Sequence, residues 1–192
     1  QGDLILVNAH HPCHPLPQPD LVTVAGTGVQ LERRAAQALD SLMAAIDGWK
    51  GIVPVSGWRA LAEQQAIWDG SLAENGLPFT QTYVACPGCS EHQTGLAIDL
   101  GLNQGEIDFI RPAFPYEGLC QTFRQTMAQY GWVQRYPAGK EAITGIGHEP
   151  WHFRYVGQPH AALMAERDLT LEEYIAWIRA FPYESRRYRH GN

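Results

Sequence analysis

Between residues 90 and 100 the chain reads SEHQTGLAIDL, a polar turn that runs straight into small and apolar residues. The second half, residues 95–100, has the composition of a buried strand. His92 lies in the first half and Asp99 in the strand. Fully extended, the seven steps between them would span roughly 23–25 Å, far too much for side chains that share one metal ion. They meet only if the backbone doubles back. Gln93-Thr94-Gly95 is a credible turn for this, because Gly95 is free to take positive φ. A strand that starts directly after a tight turn and carries a carboxylate in its middle restricts what can pack around it.

Periodicity places the other elements. Residues 3–8 (DLILVN) read as a short strand, and residues 10–19 as a loop too rich in proline for regular structure. Over residues 31–49 apolar side chains recur at Ala35, Leu39, Leu42 and Ile46, the spacing of an amphipathic helix. Residues 51–57 are a buried-strand candidate. A second helix is expected over 59–74, with Leu61, Ile67 and Leu72 as its main apolar residues and Asn75-Gly76 as its stop. A third helix over 116–130 closes at Gly131, and strands follow over 132–136 and 152–156. Two helices end the pattern, over 159–167 and 171–180, the second opened by a Thr170–Glu173 capping box. No repeat, low-complexity segment or long linker divides the chain. The expected fold class is α+β, a single domain over residues 1–192 with helices packed around a small, mostly antiparallel sheet.

Composition narrows the function. With 45% hydrophobic and 18% charged residues the chain is an ordinary globular one, and its net charge of −6 offers no basic surplus to neutralise nucleic-acid phosphates. The one basic cluster, at Arg186, Arg187, Arg189 and His190, reads as a solvated tail. No apolar run reaches membrane-span length. The chain begins at Gln1, which points to a trimmed or processed form with room for an upstream anchor.

Three clusters offer metal ligands. Cys86-Pro87-Gly88-Cys89 lacks the second close pair that a four-thiolate zinc site needs, since Cys13 and Cys120 are isolated in sequence. It reads better as thiols, or a local disulfide, that buttress a loop. In His10-His11-Pro12-Cys13-His14 the prolines Pro12 and Pro15 hold the chain extended and spread the imidazoles apart, so this reads as a surface loop. The third cluster joins His92 and Asp99 to Glu149-Pro150-Trp151-His152. A catalytic zinc wants three N or O ligands and one open position. Pro150 biases Glu149 away from a helix, so a turn at Pro150-Trp151 would be needed to bring Glu149 and His152 together. On spacing alone, a metal site and unrelated loop residues weigh about equally.

The motifs taken together are more specific. SGWR at 56–59 with Gln64, SEHQTGLAID at 90–99 and EPWHFRY at 149–155 resemble the D-alanyl-D-alanine carboxypeptidase family of zinc peptidases. That family includes the VanY carboxypeptidases and the VanXY dipeptidase/carboxypeptidases of glycopeptide resistance, and it is related to the L,D-carboxypeptidases of peptidoglycan. The likeness runs from Leu4 to Tyr174. It implies one zinc per chain on His92, Asp99 and His152, and Glu149 as general base. It also implies that Arg59, Gln64 and Ser90 surround the substrate backbone and its terminal carboxylate, with Arg59 as a second electrophile. The implied partner is a small peptide ending in D-Ala-D-Ala, with no nucleic acid and no membrane span. Trp151 is expected to pack and Arg154 to form an ion pair. Trp58 replaces the family's usual tyrosine, and the cysteines at 86 and 89 are foreign to its pattern. The alternatives are an L,D-carboxypeptidase, with the loop over 75–87 shaping the choice, and a non-catalytic zinc-stabilised module that binds cell wall. Glu149 argues against the module, which has no use for a base. Compartment and oligomeric state stay open at this level, because VanXY-like enzymes act in the cytoplasm and VanY-like ones are anchored outside.

Overall fold

The computed structural model describes residues 2–13, 18–24 and 26–181; His14, Pro15 and the basic cluster at 186–190 lie outside the described residues. A short hairpin pairs strand β1 (Leu21–Thr23) with β2 (Gln30–Glu32), Leu21 opposite Glu32. Periodicity misses both strands, because three residues are too few to show alternation. Glu32 then caps helix α1 (Arg33–Ala45), its carboxylate accepting from the backbone N–H of Arg34 and Ala35. The expected helix over 31–49 thus starts later and stops earlier, and a 3-10 turn at Gly48–Lys50 replaces its end.

The main sheet contains β3 (Ile52–Ser56), β4 (Ala97–Leu102), β5 (Trp132–Tyr136) and β6 (Glu149–Tyr155), ordered β3-β4-β6-β5 with every neighbour antiparallel. Successive side chains point to opposite faces of a strand. Ile98 and Leu100 of β4 and Trp151 and Phe153 of β6 therefore turn to one face, where they join Leu39, Leu42 and Met43 of α1 and Phe123 in the core. Phe123 belongs to α3 (Gly118–Thr126), which runs through a 3-10 turn to Gly131, at φ 83°. Phe114, Phe123 and Phe153 meet edge to face with centroids 4.8–5.6 Å apart. Each such pair adds about 0.5–1.5 kcal/mol beyond burial. The alternate residues, Asp99, His152 and Arg154, take the opposite face, and that face carries the chemistry.

Helix α2 (Leu61–Tyr83) lies near that face and runs past the expected stop. Gly76 breaks it at φ 77° and ψ 170°, a conformation essentially reserved for glycine. The chain then resumes helix with Pro78 in the first turn, where no N–H is needed. Ser71 and Thr80 hydroxyls tie the halves together at 2.9 Å. Leu61 and Leu72, expected inside, are 53% and 40% exposed, whereas Gln64, Ser71 and Thr80 are buried. The helix turns polar residues inward because polar partners await them there. After the short helix α4 (Glu141–Thr144), the chain ends its described part with α5 (His160–Arg167) and α6 (Leu171–Ala180), the latter with the expected capping box. These last two pack through Ala161, Met164, Leu171 and Tyr174 on Val133 and Val156.

The expected strand over 3–8 does not form. A 3-10 turn spans Gly2–Leu4, and the carbonyls of Asp3 and Ile5 accept from the Arg154 guanidinium at 2.8 and 2.9 Å instead of from a neighbouring strand. Among the described residues no helix is long and apolar enough to cross a membrane.

Candidate metal centre and active site

Asp99 and His152 are direct partners across the β4–β6 ladder. His152 Nδ1 lies 3.0 Å from Asp99 Oδ1, and His92 Nε2 lies 3.2 Å from Asp99 Oδ2. The two imidazoles stand edge-on, 5.0 Å apart between centroids.

His92 reaches this point because the turn folds as its sequence demands. Ser90 caps a single 3-10 turn, Glu91–Thr94, and Gly95 closes it at φ 72°. His92 Nδ1 is 2.6 Å from the carbonyl oxygen of Gly57. A carbonyl only accepts, so Nδ1 carries a proton, which leaves Nε2, on the Asp99 side, as the atom a metal could use. Gly57 can sit in this place because it has no Cβ; a methyl there would strike the backbone of Gln30. Trp58 N–H then donates to Gln30 O at 2.6 Å, and Trp58 does not line the pocket.

No turn forms at Pro150-Trp151. Glu149 and Pro150 belong to β6, and a break in its ladder does the work. Gln134 pairs with Phe153, but Tyr136 already pairs with Glu149, so β6 carries extra residues between the two pairs. In a regular strand residues three apart face opposite sides. The bulge reverses this and puts Glu149 Oε2 3.5 Å from His152 Nδ1. Pro150, which has no N–H for a ladder, fits such a bulge. Trp151 is buried in the core cluster, the packing role expected of it.

Arg59 is 7% exposed and extends Nη2 to within 3.7 Å of Asp99 Oδ2. Its Nη1 donates to Gln64 Oε1 at 2.7 Å and its Nη2 to Ser56 Oγ at 2.8 Å. Gln64 in turn donates Nε2 to the carbonyl of Ala85 at 2.7 Å. Both ends of its amide are thus spent on holding Arg59 and the following loop. Ser90 Oγ accepts from His92 N–H, which leaves its hydroxyl hydrogen to donate. Arg59, Gln64 and Ser90 line one pocket with His92, Asp99, Glu149 and His152. Tyr83, Phe109, Ile110 and Ile146 also line it, so residues well outside 75–87 help to shape it.

Burial and charge set the ionisation. Burial works against ionised Asp99, but the His92 and His152 rings outweigh it and hold the carboxyl well below its ordinary range. Burial pushes Glu149 up to about 8. His92 is lowered by burial and by the Arg59 charge.

These residues fit a divalent metal on their own evidence. His92, Asp99 and His152 are the group of ligand-type residues, among those described, whose donor atoms all lie within 4.8 Å of one another. Asp99 Oδ1 is buried without a hydrogen-bond donor, a cost that a cation would remove. Two imidazoles and one carboxylate are the donor set of a catalytic zinc.

The other clusters stay outside this centre. Cys13, Cys86 and Cys89 are free thiols. Cys13 is not isolated: its N–H donates to Gly88 O at 2.6 Å, which docks the N-terminal segment on the CPGC turn. His11 turns to Asn8, its Nδ1 3.0 Å from Oδ1. Sequence reasoning missed Glu91 and Arg135, which are fully buried and paired at 2.8 Å. Arg154 forms the expected ion pair, also with Glu91 at 2.8 Å. The available signal was Arg135 itself, the one charge in the strand WVQRY.

The family model for VanY, D-alanyl-D-alanine carboxypeptidase, matches residues 28–158, a span that holds every residue of this site. The chain belongs to the D-alanyl-D-alanine carboxypeptidase family. It is 44% identical over 179 residues to the bifunctional D-Ala-D-Ala dipeptidase and D-Ala-D-Ala carboxypeptidase VanXYC of Enterococcus gallinarum, covering 91% of this chain and 94% of that protein. Its structure resembles that of the vancomycin resistance D,D-dipeptidase VanXYg, solved with a D-Ala-D-Ala phosphinate analog. The TM-score is 0.91 at 52% identity, covering 94% of this chain and 72% of that one. A mutant of the D,D-pentapeptidase VanY from a VanB-type resistance cassette, solved with Zn(II), matches at TM-score 0.78 and 31% identity over 91% of this chain and 99% of that one. The resemblance read from the motifs is therefore borne out, as is the α+β fold.

Proposed function

We propose that this protein is a zinc-dependent D,D-peptidase that hydrolyses the terminal D-Ala–D-Ala bond of peptidoglycan precursors, of the free dipeptide, or of both, a chemistry suited to glycopeptide resistance. The observation that carries this reading is the bulge in β6, which sets a buried carboxylate, Glu149, beside the His92–Asp99–His152 triad in a chain of this family. A module that only bound cell wall would need the triad but not the base.

His92 would hold the metal through Nε2, His152 through Nδ1, and Asp99 through its carboxylate. Zinc, when bound there, supplies Lewis acidity toward water and the scissile carbonyl. Glu149 Oε2 takes the proton from the attacking water and returns it to the leaving amine. Arg59, fixed by Gln64 and Ser56, offers a planar cation to the oxyanion or to the substrate's free carboxylate. Ser90 donates its hydroxyl to the same end of the peptide. Gln64 serves that end indirectly, by aiming Arg59.

The test is amine release from D-Ala-D-Ala and from a pentapeptide ending in it, run beside a tetrapeptide whose terminal D-Ala follows an L-centre. Release from either D,D substrate is expected. Release from the L,D substrate alone would overturn the reading in favour of an L,D-carboxypeptidase.

A further inference from the structure

Behind His152, on the side away from Asp99, stands a carboxylate that the reaction does not use. Glu91 is 1% exposed and sits between two buried arginines. Its Oε1 accepts from Arg135 Nε and from Arg154 Nη1, each at 2.8 Å. Its Oε2 accepts from neither. That atom is buried without a hydrogen-bond partner and lies 3.6 Å from His152 Nε2, which is buried and unpartnered as well. A donor and an acceptor that face each other in a dry interior, each otherwise unsatisfied, are costly unless they close on one another.

We propose that Glu91 is a positioning residue for His152: in the metal-loaded protein Oε2 accepts the Nε2 proton, which aims Nδ1 at the metal and tightens its hold. The proposal rests on the reading that His92, Asp99 and His152 bind zinc. It gives the two histidines different backing. His92 leans on a neutral carbonyl, that of Gly57, whereas His152 leans on a charged carboxylate, and a carboxylate behind a ligating imidazole raises its basicity toward the metal. The 3.6 Å gap is too long for a hydrogen bond, and closing it takes only a small shift of the ring.

The two arginines keep the carboxylate in place. Glu172 of α6 grips Arg135 at 2.6 and 2.8 Å and accepts from Asn8 Nδ2 at 3.1 Å. Arg154 Nη2 binds the carbonyls of Asp3 and Ile5. The N-terminal segment and the last described helix thus converge on the group behind one metal ligand. A purely structural role, in which Glu91 only neutralises two arginines, would not require Oε2 to stand apart from both and face the ring.

Zinc affinity, measured by competition with a chromophoric chelator, separates the two roles. Glu91→Gln should weaken zinc binding about 10- to 100-fold. Glu172→Gln, which loosens the same ion cluster without touching His152, should lower Tm but weaken zinc binding far less than Glu91→Gln does. A folded Glu91→Gln protein with wild-type zinc affinity overturns the proposal. Should Glu91→Gln fail to fold, 15N-histidine spectra of the zinc-loaded wild type decide. A His152 with Nδ1 on the metal and a slowly exchanging proton on Nε2 supports the role, and one with Nε2 on the metal overturns it. Wild-type protein that binds no zinc overturns the metal-site reading itself, and this inference with it.

Discussion

His152 and Asp99 face each other across two hydrogen-bonded strands, with Nδ1 and Oδ1 3.0 Å apart. The ladder fixes the spacing of two proposed ligands, and the Gly57 carbonyl fixes the third by holding the His92 ring. This predicts one zinc per chain. Asp99→Ala and His152→Ala should each abolish tight binding in metal analysis, while Cys86→Ser and Cys89→Ser should keep the metal. Loss of zinc in the cysteine variants, with zinc retained in the other two, would move the site to the CPGC turn.

Glu149→Gln should stay folded and keep its zinc, because Glu149 is placed as a neighbour of the ligands and not as one. Hydrolysis should fall by about 10²–10⁴, the usual contribution of a general base. Turnover near wild type in zinc-loaded Glu149→Gln protein would mean that another group takes the proton.

The sequence shows the ends of the site better than its middle. The turn from His92 to Asp99 is readable because Gly95 is where a turn must be and the apolar run after it can only be a strand. The Glu149–His152 relation is not, since a register shift depends on the partner strand, and nothing in EPWH tells Gln134 and Tyr136 to pair with Phe153 and Glu149. Likewise the family resemblance implies that Gln64 contacts the substrate. Only the fold shows that its amide is committed to Arg59 and Ala85. The leucines of α2 mislead for the same reason, because the helix packs by its polar face against a polar site.

Metal removal should make stability depend on alkaline pH. Burial disfavours a charged His152 ring, but the Asp99 and Glu91 carboxylates outweigh it and raise the ring from 6.5 to about 9. A histidine raised by folding contributes stability that is complete below its unfolded value and lost as pH climbs through the folded one. Glu149, pushed by burial from 4.5 to about 8, favours the folded state while protonated, so its contribution also fades upward through that interval. Metal-free protein should therefore lose Tm from about pH 5 to about pH 9, most steeply between roughly pH 6.5 and pH 8, where the two intervals overlap. Zinc requires its ligands deprotonated, so the loaded protein should hold its Tm there and the gap between the two should widen with pH. Parallel Tm profiles with and without zinc would contradict this.

The last prediction concerns the free carboxylate of the substrate. Arg59 reaches the pocket as a rigid fork whose two Nη atoms are already held by Gln64 and Ser56. Its Nε is buried without a partner. A cation fixed this firmly suits a bidentate anion, and Ser90 can donate beside it. Replacing the substrate's terminal carboxylate by an amide should then remove at least one charge-assisted hydrogen bond, worth about 1.5–3 kcal/mol, and lower kcat/KM roughly 10- to 150-fold. Arg59→Lys should impose a loss of similar size on the acid, because a point charge cannot reproduce the fork. It should impose little further loss on the amide, since the interaction is already gone. Gln64→Ala should act in the same direction but more weakly, by letting Arg59 move. The measurement is kcat/KM for acid and amide in wild type, Arg59→Lys and Gln64→Ala. Equal rates for acid and amide in the wild type would show that the pocket does not read a chain end, and the enzyme would then be an endopeptidase built on the same zinc centre.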